Sequence, residues 1–493
     1  MNFKLFTVVM FAVFCLSCKE TPKAKDVAVI EEKLEQPNIV VLLCDDLGYE
    51  DLSAFGHPVI ETKNLDKLAN TGIKLTDFYS TAPVCSSSRA GLLTGRSPNR
   101  AGIYDFIPSY KKSEDNRDLV HLQADEVTIP AVLKSVGYET CLVGKWHCSS
   151  QFNSTAQPQP NDFGFDYWFA THNNASPSHE NPKNFVRNGE KVGKIQGYSS
   201  QIVVDEAITW LDKKSSNAPF FLEVAFHEPH EPIASPEDLV QKYLPLARNR
   251  EEAEFFANVE NVDLAVGRLL DYFKTHNITN TIIVFSSDNG PETLNRYPKA
   301  KHSYGSPGPL QGMKLWTNEA GFRVPGIVNW IGKKTFTGST QAVVSALDLL
   351  PTFAELAGAE LPDRILDGES FTSLLETGHF ERKKSLTWAF YDAINARRVA
   401  MRKGDWKIMG RLELDNKELP HIHNLYDGNI EAVKQAKLTD FVLFNLKSDI
   451  AESNNVASTY PEVFEAMKTE FESEYNALLT GSHIWIRENQ DVE

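Results

Sequence analysis

The chain has 493 residues, a formal net charge of −16, 42% hydrophobic residues and 24% charged residues. That length suits one large domain with a smaller companion. The acidic balance excludes a nucleic-acid binder built on phosphate contacts, and it obliges any anionic substrate to find a local basic pocket.

In chain order, Lys4 precedes an apolar run from Leu5 to Leu16. The run is too short to span a bilayer and right for a secretion signal over residues 1–17. Leu16-Ser17-Cys18 has the form of a bacterial lipoprotein processing site. Cys18 is therefore expected to carry lipid, the chain's one tie to a membrane, with ordinary signal-peptidase cleavage as the alternative. Residues 18–36 are rich in Lys, Glu, Ala and Pro and read as a flexible tether. The expected address is the periplasm or the outer-membrane or cell surface. Of six cysteines, Cys15 falls in the signal and Cys18 at its end, while Cys85 sits in a motif of its own. Cys44, Cys141 and Cys148 remain, so no disulfide framework is implied, and a Cys141–Cys148 bridge stays open.

Apolar runs then alternate with helical patterns, which predicts an α/β fold around a large, mostly parallel sheet flanked by helices. Strands are expected at 38–43, 138–143, 219–226 and 281–285. Helices are expected at 64–69, closed by Gly72, and after Thr128, which can cap a helix with Pro130 in its first turn. A boundary near 375–385 separates a smaller α+β part of short antiparallel strands (385–390, 398–402, 406–409). A final helix after Pro461 carries Phe464, Met467, Phe471, Tyr475 and Leu478 on one face. The resulting map is a catalytic domain over 37–380, a C-terminal subdomain over 381–482 and a tail over 483–493.

The polar clusters fall just after the strands, where open α/β sheets place their sites. Asp45-Asp46 follows the first strand, and Asp288-Asn289 follows the strand ending at Phe285. Three carboxylates and an amide oxygen form a hard-oxygen set suited to Ca²⁺; helix capping or turn chemistry is the plain alternative. Lys145 and His147 follow the strand ending at Val143 and offer a point charge and an imidazole. His227 and His230 follow Phe226 in a proline-broken loop, which disfavours a helical two-histidine zinc motif. Cys85 opens a short helix that Ser87 or Ser88 can cap, Leu92 and Leu93 can anchor and Gly95 can stop. The group at position 85 thus meets the positive end of a helix, and Arg89 adds a planar donor fork.

The run Cys85-Ser-Ser-Ser-Arg-Ala-Gly-Leu-Leu-Thr-Gly95, followed by Arg96-Ser-Pro-Asn-Arg-Ala-Gly102, resembles the signature of the type I sulfatases of the alkaline phosphatase superfamily. It departs at Ser87, where that family usually has Pro or Ala. Gly144-Lys-Trp-His147 matches a family block, as does Lys314 with the segment through Pro325, where Ala320 replaces a glycine. Stretches 401–407 and 443–449 resemble the family's small C-terminal sheet.

The resemblance implies that a maturation enzyme converts Cys85 to formylglycine, whose hydrate is the nucleophile. It implies one Ca²⁺ held by Asp45, Asp46, Asp288, Asn289 and the modified Cys85. Lys145, Lys314 and Arg89 would hold the sulfuryl oxygens, His230 would protonate the leaving oxygen, and His147 would act as base. The expected substrate is a sulfated oligosaccharide or polysaccharide, such as ulvan, a carrageenan-type galactan, fucoidan or a glycosaminoglycan. Tyr104, Asp105, His172, His179 and His302 are candidates for the sugar subsite, each on a polar loop whose default reading is structural. Two alternatives stand beside this: a phosphonate or phosphate ester hydrolase of the same superfamily, and a non-catalytic glycan-binding lipoprotein.

Overall fold

The computed structural model describes residues 36–109, 117–214, 216–296 and 300–486, and counts below refer to these. The signal segment, Cys18, nearly all of the tether and residues 487–493 of the tail lie outside them.

The main sheet is built on seven long strands: β1 Asn38–Asp45, β2 Ile73–Tyr79, β3 Glu139–Lys145, β4 Tyr167–Thr171, β5 Phe220–Pro229, β6 Thr281–Ser287 and β7 Arg323–Ile331. Four short strands bring it to eleven. The long strands run in the order β2-β7-β6-β1-β5-β3-β4. β1 pairs in parallel with both β5 and β6, and β3 in parallel with β4 and β5; β7 runs antiparallel between β2 and β6.

Alternation along β1 shows why both faces are covered. Ile39, Val41 and Leu43 enter one hydrophobic cluster, and Val40, Leu42 and Cys44 enter the other. A strand buried on both sides reads as a continuous apolar run, as this one does. Helices α1 Lys63–Thr71, α4 Ser199–Lys213 and α5 Arg250–Thr275 cover the second face. Helices α2 Cys85–Thr94, α3 Ile129–Ser135 and α6 Leu349–Ala357 cover the first.

A five-stranded antiparallel sheet follows, with β8 Leu386–Ala389, β9 Val399–Lys403, β10 Trp406–Leu414 and β11 Lys437–Asn445 as its main strands. The terminal helix α7 Pro461–Thr480 buries Met467, Phe471, Tyr475 and Leu478, with Phe464 partly covered, so its predicted apolar face is the packed one. The described residues form one compact unit. Among the described residues no helix is long and apolar enough to cross a membrane.

One local expectation changes and one open point closes. Helix α2 starts at Cys85 itself, with Val84 as an uncapped N-cap, so Ser87 and Ser88 lie inside the helix. Ser88 Oγ instead accepts the Thr81 N–H, and Ser87 Oγ is buried without a partner. Gly95 does stop the helix, in the left-handed conformation at φ +65°. Cys141 and Cys148 are both free thiols, as are Cys44 and Cys85. The sequence reading also passed over β4 and β7, and over β2 and the long α5, whose charged residues blur their periods.

Candidate active site

The polar residues after β1, β3, β5 and β6 meet at the carboxyl ends of those parallel strands. Asp45 and Lys145 are the last residues of β1 and β3. Asp288 and His230 directly follow β6 and β5. Cys85, the first residue of α2, shares an apolar contact cluster with Val84, Leu315, Phe390 and Ala393. The backbone here is unusual: Asp46, His147 and Leu315 take positive φ, at 64°, 55° and 66°. Non-glycine residues in that region cost free energy, so the surrounding packing must hold them there. Gly144 has no alternative. At φ +112° an added Cβ would lie 1.8 Å from the Ala225 carbonyl oxygen, where β3 crosses β5 just before Lys145.

Charges pair across long sequence distances. Lys145 Nζ lies 2.5 Å from Asp45 Oδ2, with both side chains fully buried. Lys314 Nζ lies 2.7 and 2.9 Å from the two Asp46 oxygens. His230 Nε2 sits 3.6 Å from Asp46 Oδ2, and Asn289 Nδ2 donates to Asp46 Oδ1 at 2.7 Å. Arg89 places Nε and Nη2 at 2.8 and 2.7 Å from Asp288 Oδ2, and its Nη1 donates to the Lys145 carbonyl at 3.1 Å. The Arg89 fork is thus committed to a carboxylate and a backbone carbonyl.

The electrostatics follow from burial and pairing. Burial opposes ionisation of Asp45, but Lys145, then His230 and Arg89, hold its carboxyl well below the usual carboxylate range. Asp288 is pushed up by burial and by Asp45, against the pull of Arg89. Burial pushes the Cys85 thiol up, although Lys145 and Lys314 oppose it, so the unmodified thiol is a poor source of thiolate. Burial and then Lys145 hold His147 well below the ordinary histidine value, hence neutral. Its Nε2 donates to the Ile107 carbonyl at 2.9 Å, which leaves Nδ1 as a buried lone pair without a partner. His230 is also lowered by burial, against Asp46.

The donor set fits a hard cation. Asp45 Oδ1 and Asn289 Oδ1 are buried with no hydrogen-bond donor, an arrangement that is costly unless something positive faces them. Asp45, Asp46 and His230 offer ligand atoms within 4.8 Å of one another. Carboxylate and amide oxygens favour Ca²⁺ over zinc.

The other predicted residues divide. His172 stands edge-on to His147, with ring centroids 5.5 Å apart, and its Nε2 is buried and unpaired. His179 is fully buried, 3.2 Å from Asn258 Nδ2 through Nδ1, with Nε2 unpaired. Burial lowers these two histidines to about 4 and about 3. His302 is clamped between Glu231 and Glu254, at 2.9 and 2.7 Å. The buried Tyr104 hydroxyl donates to the His483 carbonyl. Asp105 is buried against His423 at 2.8 Å. His227 is pinned between Ser199 and Thr171 hydroxyls, both at 2.7 Å, and supports the loop from behind. Sequence reasoning missed Glu223, a buried β5 carboxyl that burial pushes up to about 7 despite Arg89. Its isolation in an apolar run was the available signal.

A family model described as Sulfatase matches residues 37–359, and one described as N-sulphoglucosamine sulphohydrolase, C-terminal, matches residues 313–455. The chain is 32% identical to human (Homo sapiens) N-acetylgalactosamine-6-sulfatase, over 70% of this chain and 66% of that one. It is 31% identical to human arylsulfatase A, over 88% of this chain and 86% of that one. The crystal structure of Ps i-CgsB in complex with k-i-k-neocarrahexaose superposes with a TM-score of 0.73 at 28% identity, covering 93% of this chain and 96% of that chain. The chain belongs to the sulfatase family, the sulfuric ester hydrolases.

Proposed function

We propose that this protein removes sulfate esters from a sulfated carbohydrate, using a formylglycine made from Cys85 and one Ca²⁺. One observation carries the reading. Cys85 opens α2 within the fields of Lys145, Lys314 and Asp45, and the Asp45 and Asn289 side chains each keep a buried oxygen that lacks a donor. A formyl group at position 85 would supply, as its hydrate, the attacking hydroxyl, while Ca²⁺ on Asp45, Asp46, Asp288 and Asn289 would polarise the sulfuryl group.

The chain's own residues do the rest. Lys145 and Lys314 stabilise negative charge that builds on the sulfuryl oxygens, in a site too buried for water to screen them. Arg89 acts by fixing Asp288 and the Lys145 backbone. His230, the most exposed of the group with 13% of its side chain accessible, would give the leaving sugar oxygen a proton from Nε2 in its protonated form, since Nδ1–H is held by the Glu231 carbonyl. His147 presents the free Nδ1 lone pair as a base. The similarity to N-acetylgalactosamine-6-sulfatase and to a structure in complex with k-i-k-neocarrahexaose supports a glycan substrate. The apolar run before Cys18 supports export with lipid on that cysteine; palmitate labelling that survives in Cys18→Ser would refute it.

The test is sulfate release from defined sulfated oligosaccharides by protein co-expressed with a maturation enzyme, with Cys85→Ser as control. Release that vanishes in the control is the expected result. Turnover of a phosphonate monoester with no sulfate release would transfer the reading to the superfamily alternative.

A further inference from the structure

Asp105 belongs to a cluster that links the two sheets' loops. His423 Nδ1 lies 2.8 Å from Asp105 Oδ2 and 3.1 Å from Asp392 Oδ2. His421 Nδ1 lies 3.0 Å from Asp392 Oδ1, and Arg117 Nη1 lies 3.3 Å from Asp105 Oδ2. Exposure rises outward through this group, with side-chain values of 1% for Asp105, 17% for Asp392, 36% for His423 and 53% for His421.

The same loops build the active site. Ile107, two residues from Asp105, accepts the His147 Nε2–H, and its own N–H donates to Ser86 Oγ beside Cys85. Ala393, next to Asp392, packs with Cys85 and Leu315. The Ile394 N–H donates to the Leu315 carbonyl at 2.9 Å, one residue from Lys314. Two large apolar side chains flank the cluster in the open. Phe106 is 40% exposed and Ile394 43% exposed.

A pyranose needs this combination. Its C–H face packs on an aromatic ring, and its hydroxyls pair with carboxylates and imidazoles. We propose that Phe106, Asp392, His421 and His423 form the subsite that grips the sugar ring bearing the sulfate ester, with Asp105 positioning His423. The inference rests on the sulfatase reading above and deepens it: the site selects a hydroxyl-rich ring over a planar aryl alcohol. Asp105, Asp392 and His423 also bring ligand atoms within 4.8 Å of one another, so a metal is the competing occupant that the experiment must separate from a sugar.

The experiment compares wild type, F106A and D392N, each matured with Cys85 conversion checked by mass. Substrates are 4-methylumbelliferyl sulfate and a panel of galactose 6-sulfate, N-acetylgalactosamine 6-sulfate and neocarrabiose 4-sulfate. We expect the ratio of sugar to aryl kcat/KM to fall at least tenfold in each variant, carried mainly by KM for F106A. Parallel losses on both substrate types, no loss on either, or wild-type turnover of the aryl ester alone would overturn the subsite. A transition metal retained by wild type and lost in D392N would also overturn it. If converted wild type hydrolyses neither class, the sulfatase reading itself fails, which is a distinct result.

Discussion

Lys145 Nζ stands 2.5 Å from one oxygen of Asp45, while the other oxygen of that carboxylate is buried without any partner. One side of Asp45 is neutralised by protein and the other is left for a cation. The same division recurs at Asn289, whose Nδ2 donates to Asp46 while its Oδ1 stays unpaired. These two oxygens make the metal requirement testable apart from activity.

Adding Ca²⁺ to chelator-treated protein is expected to raise the melting temperature. Saturation at a hundred times Kd corresponds to about 2.7 kcal/mol of stabilisation. In Asp45→Ala that increment should disappear. Calorimetry with and without EDTA checks this, and an unchanged transition in wild type would refute the site.

Lys314→Ala removes a cation from Asp46 and from the field over Cys85. Loss of one preorganised charge contact of this kind costs about 10²–10³-fold in kcat. Steady-state kinetics on an aryl sulfate would show it; a change confined to KM would argue that Lys314 only binds.

Lys407 joins the sheets, with Nζ 3.0 Å from Glu319 and 2.7 Å from Glu452, all three side chains fully buried. Arg402 of β9 reaches Asp77 of β2 at 2.6 Å and also contacts the Tyr79 hydroxyl. Lys407→Ala takes the buried cation from Glu452 and leaves Glu319 to Arg323 and the Tyr79 hydroxyl, at a cost of roughly 3–5 kcal/mol. Denaturant melts should show the destabilisation, and Lys407→Ala melting like wild type would contradict it.

His423 gives a pH signature. Hydrogen bonds to Asp105 and Asp392 raise its pKa to about 9, with burial pulling the other way and Arg117 also paired with Asp105. Because the folded value lies above the unfolded one, its stabilisation is fully present below about pH 6.5 and is lost as pH rises through about 9. The difference in melting temperature between wild type and His423→Asn should therefore shrink across that window. A difference that grows with pH would reverse the assignment.

The strands carrying the site were legible because each is a continuous apolar run ending in a polar cluster, as at Val143-Gly-Lys145. β2 was not, since Lys74 and Asp77 interrupt it with charges, and the partner of Asp77, Arg323 at the start of β7, lies 246 positions away. The subsite candidates show the same limit. His302 looked free in sequence but is locked by Glu231 and Glu254, while Asp392, His421 and His423 drew no notice until the chain brought them to Asp105.

The sequence alone determined that a helix ending at Gly95 carries Cys85, the strand ends that present Asp45, Lys145 and Asp288, and the oxygen character of the candidate metal set. Those are local matters of periodicity, spacing and side-chain chemistry. Only the tertiary structure decided which charges meet. Arg89 turns to Asp288, 199 positions away, and Lys145 to Asp45, 100 positions away. A buried charge must be paired, and its partner is chosen by how the strands lie side by side, which no local window of sequence contains.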